Sequence, residues 1–313
     1  MEGNLQITSS IISASRRTDI PRFYGKWFAE RRKAGFAEFR NVFGGKGSVS
    51  LRDEDVHGYL FWTRLAGPFA GQLRLLRGAG LPFAFQFTIN GYGRELEPHS
   101  PPVASAIEDF LATSGRLPSP QCIQWRYDPI VLSPSFPESW HIENFSRMAA
   151  ALQGATRVVN VSFVEPYRKA IRRMADPAVI FRPVDPKRHK TVTSMPNLLQ
   201  LRIEQGQRLL DRLAAVAKPH DMQLRICSNP EWRLPPSQCC GAELFEPYGE
   251  AMGRRLASLK PGPSRAACRC LKTVDIGMDN TCPSGCKYCY VVTSQETAMR
   301  NFKKHHPVSS MLR

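Results

Sequence analysis

The segment Thr273-Val-Asp-Ile-Gly-Met-Asp-Asn-Thr-Cys-Pro-Ser-Gly-Cys-Lys-Tyr-Cys289 combines a short strand-like run, Thr273–Ile276, with a cysteine loop. Its cysteines, Cys282, Cys286 and Cys289, are separated by three and then by two residues, and a helical pattern follows at 295–303. The proline and glycine between the first two cysteines favour a turn that lets three thiolates converge. Three thiolates on one loop suit an iron–sulfur cluster with one open iron, or a zinc ion whose fourth ligand comes from elsewhere.

The same order of apolar run, polar cluster and amphipathic helix recurs along the chain. Strands that alternate with helices pair in parallel through right-handed crossovers. The pattern predicts an α/β fold of the TIM-like (β/α)8 type, as a closed or a partial barrel, with an open doubly wound sheet as the alternative. The eight strand-like runs are Ile11–Ala14, Phe36–Arg40, Tyr59–Trp62, Phe83–Phe87, Cys122–Trp125, Val158–Ser162, Gln223–Ile226 and Thr273–Ile276.

Composition indicates a globular protein. At 313 residues the chain can bury a large core, and no linker divides it, so we expect one domain over residues 1–313 in which 268–313 is a cysteine-rich metal-cluster segment. No apolar run reaches membrane-spanning length and no secretory signal is apparent, so we expect a cytoplasmic protein without membrane contact. The net charge of +16 is compatible with nucleic acid, but the basic residues are dispersed and favour a solvated surface.

The cysteines cluster late in the sequence. Eight of the nine lie from Cys227 to Cys289, which favours a reducing compartment and metal ligation over disulfides. Upstream of the loop, Cys268 and Cys270, with Cys227 and one of the pair Cys239-Cys240, are candidate ligands of a second cluster or a zinc ion. Of that pair, we select Cys240 as the candidate ligand of this second site.

Polar side chains stand where the strand-like runs end, and in barrels the carboxyl ends of the strands share the face that carries active sites. Arginines there can bind a carboxylate through two hydrogen bonds, and carboxylates can act as general acid or base. The candidate catalytic residues are Arg16, Arg17, Asp19, Arg126, Asp128 and Glu231, and the candidate cofactor-binding residues on strand ends are Thr63, Gln86 and Thr88.

The cysteine loop, with Tyr288 directly before Cys289, resembles the CxxxCxxC loop of radical S-adenosylmethionine (SAM) enzymes. The resemblance implies that the three thiolates hold a [4Fe-4S] cluster, that the open iron binds SAM, and that Tyr288 packs beside the bound nucleoside. It implies an enzyme that cleaves SAM to start hydrogen abstraction, with a reductant such as flavodoxin or ferredoxin as partner. Arg16, Arg17 or Arg126 would then meet the SAM carboxylate or a substrate anion.

Most of the chain is also similar to a bacterial family known as domain of unknown function 1848. The matching segments are Ser13–Asp19, Phe61–Thr63, Phe85–Thr88, Trp125–Pro129 and Asp275–Cys282. The family implies no settled activity. In radical SAM barrels the cysteine loop usually follows the first strand, and here it stands late. A circularly permuted radical-SAM-type barrel accommodates this position, with the unit that starts at Thr273 docked beside Ile11–Ala14 and closing the barrel.

Two other functions stay open. One is a zinc- or cluster-stabilised protein that binds nucleic acid through its basic surface without catalysis. The other is a metal-independent barrel enzyme acting on an anionic metabolite, with Asp19, Asp128 or Glu231 as general acid or base. The sequence does not separate nucleotides, nucleic acid and other anions as the substrate.

Overall fold

The computed structural model describes residues 5–7, 10–40, 44–174, 178–185, 187, 190–195, 197–250, 252, 256, 259–262 and 267–312. Its main element is a seven-stranded sheet in which every neighbouring pair is parallel. The strands are β2 (Ser10–Ala14), β5 (Val56–Thr63), β6 (Phe83–Thr88), β7 (Ile123–Ile130), β8 (Val158–Phe163), β9 (Gln223–Ile226) and β10 (Thr273–Asp275). Their order across the sheet is β10-β2-β5-β6-β7-β8-β9. The expected α/β class is confirmed.

A second, three-stranded sheet contains β1 (Leu5–Ile7), β3 (Phe36–Arg40) and β4 (Lys46–Ser50). The prediction that Phe36–Arg40 is a unit of the barrel is therefore wrong. This strand pairs antiparallel with β4, and the few residues between them are too short for the crossover that parallel strands need. The closed (β/α)8 barrel is also wrong, because within the described ranges the main sheet has seven strands and its edge strands β9 and β10 do not pair with each other.

The described helices are α1 (Ile20–Phe23), α2 (Gly25–Ala34), α3 (Ala70–Gly78), α4 (Gly93–Leu96), α5 (Val103–Ser114), α6 (Glu138–Ala151), α7 (Arg168–Met174), α8 (Lys190–Ser194), α9 (Ile203–Ala217) and α10 (Gln295–Lys304). Five of them cover one face of the main sheet. Apolar side chains of α2, α3, α5, α6 and α9 share one buried cluster with every second residue of the strands, including Phe61, Phe85 and Trp125. This alternation follows from the two-residue period of a strand.

The other face of the sheet has a different cover. Ile11, Leu60 and Ala84 point to this side and pack against Leu244, at the end of a short 3-10 turn, and Phe245, which follows it. A doubly wound sheet would carry helices on both faces and reverse its strand order. Here the strand order runs steadily from β2 to β9 without a reversal. The doubly wound alternative is therefore not what the described residues form.

The last strand lies beside β2, as predicted for the displaced unit. Thr273, Val274 and Asp275 of β10 stand opposite Ile11, Ile12 and Ser13 in a parallel register. Docking beside Ile11–Ala14 is confirmed, while closure of the barrel is wrong because β10 forms the free edge. No helix in the described ranges is long and apolar enough to cross a membrane.

Candidate functional site

The strands of the main sheet end at one edge, which we name the carboxyl edge. The loops after β2, β5, β6, β9 and β10 begin there, and the end of β7 contributes residues 126–128. Most polar residues predicted from strand ends therefore meet at this edge, because parallel strands present their carboxyl ends on one side. The segments that start at this edge include Ser15–Asp19, Thr63, Thr88, Arg126–Asp128 and Cys227–Glu231, although the sheet is open and not a barrel.

Asp275, at the end of β10, joins the two ends of the chain at this edge. Its carboxylate accepts hydrogen bonds from the hydroxyls of Ser13 (2.9 Å) and Ser15 (2.6 Å) and from the backbone N–H of Arg16 (2.8 Å). The Arg17 guanidinium contacts the same carboxylate and donates to the carbonyls of Asp275 and Gly277. Arg17 therefore positions the strand that leads into the cysteine loop, while the side chain of Arg16 is about one-third exposed.

Asp19 is a buried carboxyl group at the start of α1. It accepts hydrogen bonds from Thr63 Oγ1 (2.7 Å), from the Arg64 backbone N–H (3.0 Å) and from the Arg22 backbone N–H (3.1 Å). Burial raises the pKa of Asp19 to about 6, although these hydrogen bonds lower it. The nearby Asp19 carboxylate in turn raises the pKa of Cys282, whose main upward shift comes from burial. Asp19 is therefore near enough to the first cysteine of the loop for its charge to act on that thiol.

Tyr288 anchors the cysteine loop through a buried polar network. Its hydroxyl donates to Glu97 Oε1, accepts from Arg64 Nη2 and lies 2.9 Å from Asn90 Nδ2. Glu97 is 4% exposed and is neutralised by Arg64, at 2.8 Å, and by a hydrogen bond from Asn90. A buried carboxylate needs such partners, since an unpaired one would cost several kcal/mol. The Tyr288 hydroxyl therefore has hydrogen-bond partners among the side chains of the protein itself.

Arg173 of α7 holds the backbone of the loop from the other side. Its guanidinium donates to the carbonyl oxygens of Lys287 (3.1 Å), Cys289 and Val292. Three carbonyls on one planar donor group fix the curvature of the segment around the last cysteine. Gly285 allows the tight start of this curve: its φ is +74°, and an added Cβ would lie 2.9 Å from the ring of His99.

The loop cysteines, Cys282, Cys286 and Cys289, lie close enough to influence one another. Burial raises the pKa of each thiol, and neighbouring thiols of the set raise it further. Arg64 opposes this shift at Cys286 and Arg173 opposes it at Cys289. Among the described residues, no group of three or more His, Cys, Asp or Glu side chains is arranged to hold a metal ion.

The kind of donor at this site fits an iron–sulfur cluster. Three partly buried thiols come from one curved loop, and two guanidinium groups stand beside them. Thiolates are the ligands of such clusters, and nearby cations and N–H groups offset their charge. Ligation would require the thiols to lose their protons and turn toward one centre.

A second set of thiols, Cys227, Cys239 and Cys270, comes from three separate stretches of the chain, and we name it the inner cysteine group. Cys239 forms hydrogen bonds with both of the other thiols and with Arg126 Nη1, at 3.2 Å. The thiol hydrogen bonds and the guanidinium lower the pKa of Cys239, while hydrogen bonding to Cys239 and burial raise those of Cys227 and Cys270.

The choice of Cys240 as a second-site ligand needs correction. Its side chain is 3% exposed and packs in the apolar cluster of Ile11, Leu60 and Phe245, and burial raises its pKa to about 12. Cys239 interacts with the other two thiols, whereas Cys240 faces the apolar core. The charge of Cys268 raises the pKa of both Cys270 and Cys240, so it lies near these two thiols.

Residues 11–291 match the model of a protein family described as a domain of unknown function, DUF1848. The chain belongs to the DUF1848 family. Comparison with curated proteins gives no match. Among solved structures, a Bacteroides thetaiotaomicron protein described as a candidate alpha-L-fucosidase is 10% identical, with 97% of this chain and 96% of that one covered and a TM-score of 0.31. A score that low supports no argument about fold or activity.

The remaining predicted charged residues of this DUF1848 protein are paired. Arg126 binds Asp128, lies 4.9 Å above the ring of Trp62 and is 12% exposed at its side chain. Asp128 also accepts a hydrogen bond from Ser162. Glu231 lies 3.4 Å from Arg182, which in turn binds Glu165. These ion pairs line the carboxyl edge, and they give Asp128 and Glu231 structural partners besides any catalytic use.

The predicted cofactor residues on strands differ in position. Gln86 is fully buried, donates to Gln124 Oε1 (2.7 Å) and to the Cys239 carbonyl (2.9 Å), and accepts from Asn160. This network argues against cofactor contact at Gln86. The Thr63 hydroxyl is buried against Asp19, whereas Thr88 is half-buried at the end of β6, opposite Arg126.

Several site residues of the DUF1848 chain escape sequence reasoning. Asp275 ends a strand, so the strand-end rule that selected Asp19 could have found it. Glu97 and Arg173 carry no such signal, because one follows the short helix α4 and the other lies within α7. Their partners on the cysteine loop are more than 100 residues away in sequence.

Proposed function

We propose that this DUF1848 chain is an iron–sulfur enzyme of the radical SAM type, in which Cys282, Cys286 and Cys289 hold a [4Fe-4S] cluster. The observation that carries the proposal is the placement of the three thiols on one curved loop at the carboxyl edge, directly after the strand that pairs with β2. Active sites of parallel α/β sheets lie at this edge. The CxxxCxxC spacing supplies the ligand set.

A [4Fe-4S] cluster held by these three thiolates would supply the single electron for the cleavage of SAM, which would start hydrogen abstraction from a substrate. The protein's own part is to hold the loop and to exclude water. Arg173 fixes the backbone at Cys289, and the Tyr288–Glu97 pair fixes the preceding turn. Both Arg64 and Arg173 offset negative charge at the thiolates, because each guanidinium lies beside one of them.

The substrate of this enzyme is proposed to be anionic. Arg16 keeps about one-third of its side chain exposed at the carboxyl edge, and Arg126 presents a guanidinium above Trp62 nearby. A guanidinium can bind a carboxylate or phosphate through two parallel hydrogen bonds. A nucleotide or another phosphorylated metabolite fits this chemistry.

The domain organisation and fold class extend the same proposal. Residues 1–313 would form one domain, a permuted partial barrel of the radical SAM type in which 268–313 is the cluster segment. The β10–loop–α10 unit beside β2 supports the permutation, because in a sheet of βα units the neighbour of a strand matters more than its place in the chain. A cytoplasmic enzyme reduced by a flavodoxin or ferredoxin is consistent with this chemistry.

The test is anaerobic reconstitution with iron and sulfide. The wild-type chain should become brown and retain iron and sulfide after gel filtration. A triple Cys282/Cys286/Cys289→Ser variant should lose the iron that Cys122→Ser, its matched control, retains; Cys122 is a fully buried core thiol at the start of β7. Equal iron and sulfide in the triple variant and in the control would overturn the assignment of the loop.

A further inference from the structure

The inner cysteine group gathers thiols from three separate parts of the chain. Cys227 follows β9, Cys239 lies in the segment after the β9 loop, and Cys270 comes just before β10. Cys239 contacts the other two. Buried cysteines that serve only as small apolar residues need no such company, and Cys122 and Cys240 show that packing elsewhere in this chain.

The sulfurs of this group receive hydrogen bonds from N–H donors. Arg126 Nη1 lies 3.2 Å from Cys239 Sγ, and the Cys240 backbone N–H donates to Cys270 Sγ at 3.4 Å. N–H groups directed at cysteine sulfur are typical of the surroundings of metal thiolates, where they offset the negative charge of the ligands. The Arg126 guanidinium is itself held by Asp128.

The surroundings of the group are closed and irregular. Cys239 is 5% exposed, and among the described residues the stretches 237–241 and 267–271, which bear Cys239 and Cys270, contain no strand or α-helix. One backbone hydrogen bond, from the Leu271 N–H to the Cys240 carbonyl (2.8 Å), links these two segments directly at this point. A metal bound by thiolates would cross-link both segments to the end of β9, which is how structural sites stabilise chains with little regular structure.

We propose that Cys227, Cys239 and Cys270, with Cys268 as the fourth thiol, form a second metal site separate from the cysteine loop. Cys268 is two residues before Cys270, so an extended segment presents both side chains on the same side. Four thiolates and a closed site suit a thiophilic metal, either a zinc ion or an iron–sulfur cluster. The proposal does not rest on the function proposed for the loop cysteines.

The experiment uses the full chain with Cys282, Cys286 and Cys289 replaced by serine, so that only the second site can bind. One arm adds Zn²⁺ alone, and the other adds iron and sulfide anaerobically. We expect one arm to leave about one metal centre per chain after gel filtration and to raise the melting temperature. Adding Cys239→Ser should weaken retention at least about tenfold, whereas adding Cys122→Ser should leave it unchanged.

Two results would overturn the second site. One is the absence of retained metal in both arms, and the other is equal retention by the Cys239→Ser and Cys122→Ser variants. If Cys239→Ser does not fold, as judged by circular dichroism, the partly exposed Cys270→Ser variant replaces it in the same chain without the loop cysteines. Failure here leaves the loop assignment standing, because wild-type reconstitution tests that assignment separately.

Discussion

Val274 lies opposite Ile12 in a parallel pair of strands at the free edge of the main sheet. The pair brings a late segment of the chain next to an early one, so the cysteine loop and the Ser15–Asp19 loop start from the same edge. Asp275 then binds the hydroxyl of Ser15 at 2.6 Å. The cysteine loop and the charged residues of the Ser15–Asp19 loop depend on this junction for their relative positions.

The junction should be sensitive to the size of residue 277. An added Cβ at Gly277 would lie 1.9 Å from Ser15 Oγ and 2.6 Å from Ser15 Cβ, so Gly277→Ala must separate β10 from β2. We expect a loss of at least about 2 kcal/mol in the free energy of unfolding, measured with urea. Gly78→Ala is the control, because nothing lies within 4 Å of its Cβ and alanine favours the helix. A Gly277→Ala protein as stable as Gly78→Ala would show that the strands can adjust.

Removing one hydroxyl should loosen the cysteine loop. Tyr288→Phe leaves Glu97 with Arg64 and Asn90 but deletes the bond from the loop, so we expect a loss of about 1–2 kcal/mol in stability. Tyr290→Phe is the matched control: Tyr290 is 47% exposed and stacks on Tyr167, and the change should stay within about 0.5 kcal/mol. Denaturant unfolding of both variants measures the difference. Equal losses would mean that the Tyr288 network does not anchor the loop.

Arg173 offers a local test of loop rigidity. Arg173→Ala removes donors from the carbonyls of Lys287, Cys289 and Val292, so backbone amides of the loop should exchange with deuterium faster, by about tenfold or more. Arg172→Ala, one residue earlier on the exposed side of α7, should leave the exchange unchanged. Mass spectrometry of peptides covering residues 286–292 reads out both variants. Similar exchange rates in the Arg173→Ala and Arg172→Ala proteins would show that Arg173 does not hold the backbone of the loop.

Much of the fold could be predicted from the sequence, because hydrophobic runs and helix periods are local signals. Seven of the eight strand-like runs are strands of the main sheet, and β10 lies where the displaced unit was expected. Phe36–Arg40 misled the prediction, since an edge strand of a small sheet has the same residue pattern as a barrel strand. Closure of a sheet depends on long-range pairing, which local patterns do not encode.

The site was predictable to a lesser extent. Cys282, Cys286 and Cys289 stand out by spacing alone, and the strand-end rule located Asp19 and Arg126. Spacing could not decide between Cys239 and Cys240, because the two are adjacent in a turn and only the fold shows which side chain enters the apolar core. Glu97 could not be found, since its role comes from a partner 191 residues away.

The pH dependence of stability should report on Asp19. Burial raises its pKa from 3.8 to about 6, so the folded chain keeps a proton that the unfolded chain releases. The free energy of unfolding should therefore fall as pH rises from about 4 to about 6, by on the order of 2–3 kcal/mol, and change little above. Asp19→Asn removes this titration, so the difference between wild type and variant should fall across the same window in metal-free protein. A difference independent of pH would contradict the raised pKa.

Electron paramagnetic resonance of the reconstituted, reduced protein examines the cluster at Cys282, Cys286 and Cys289. The wild-type chain should give a [4Fe-4S] signal that changes when SAM is added, because SAM would bind the open iron. The Cys239→Ser variant should keep that change, since its sulfur belongs to the other site. A cluster signal that SAM leaves unaltered, or no cluster signal at all, would contradict a radical SAM enzyme.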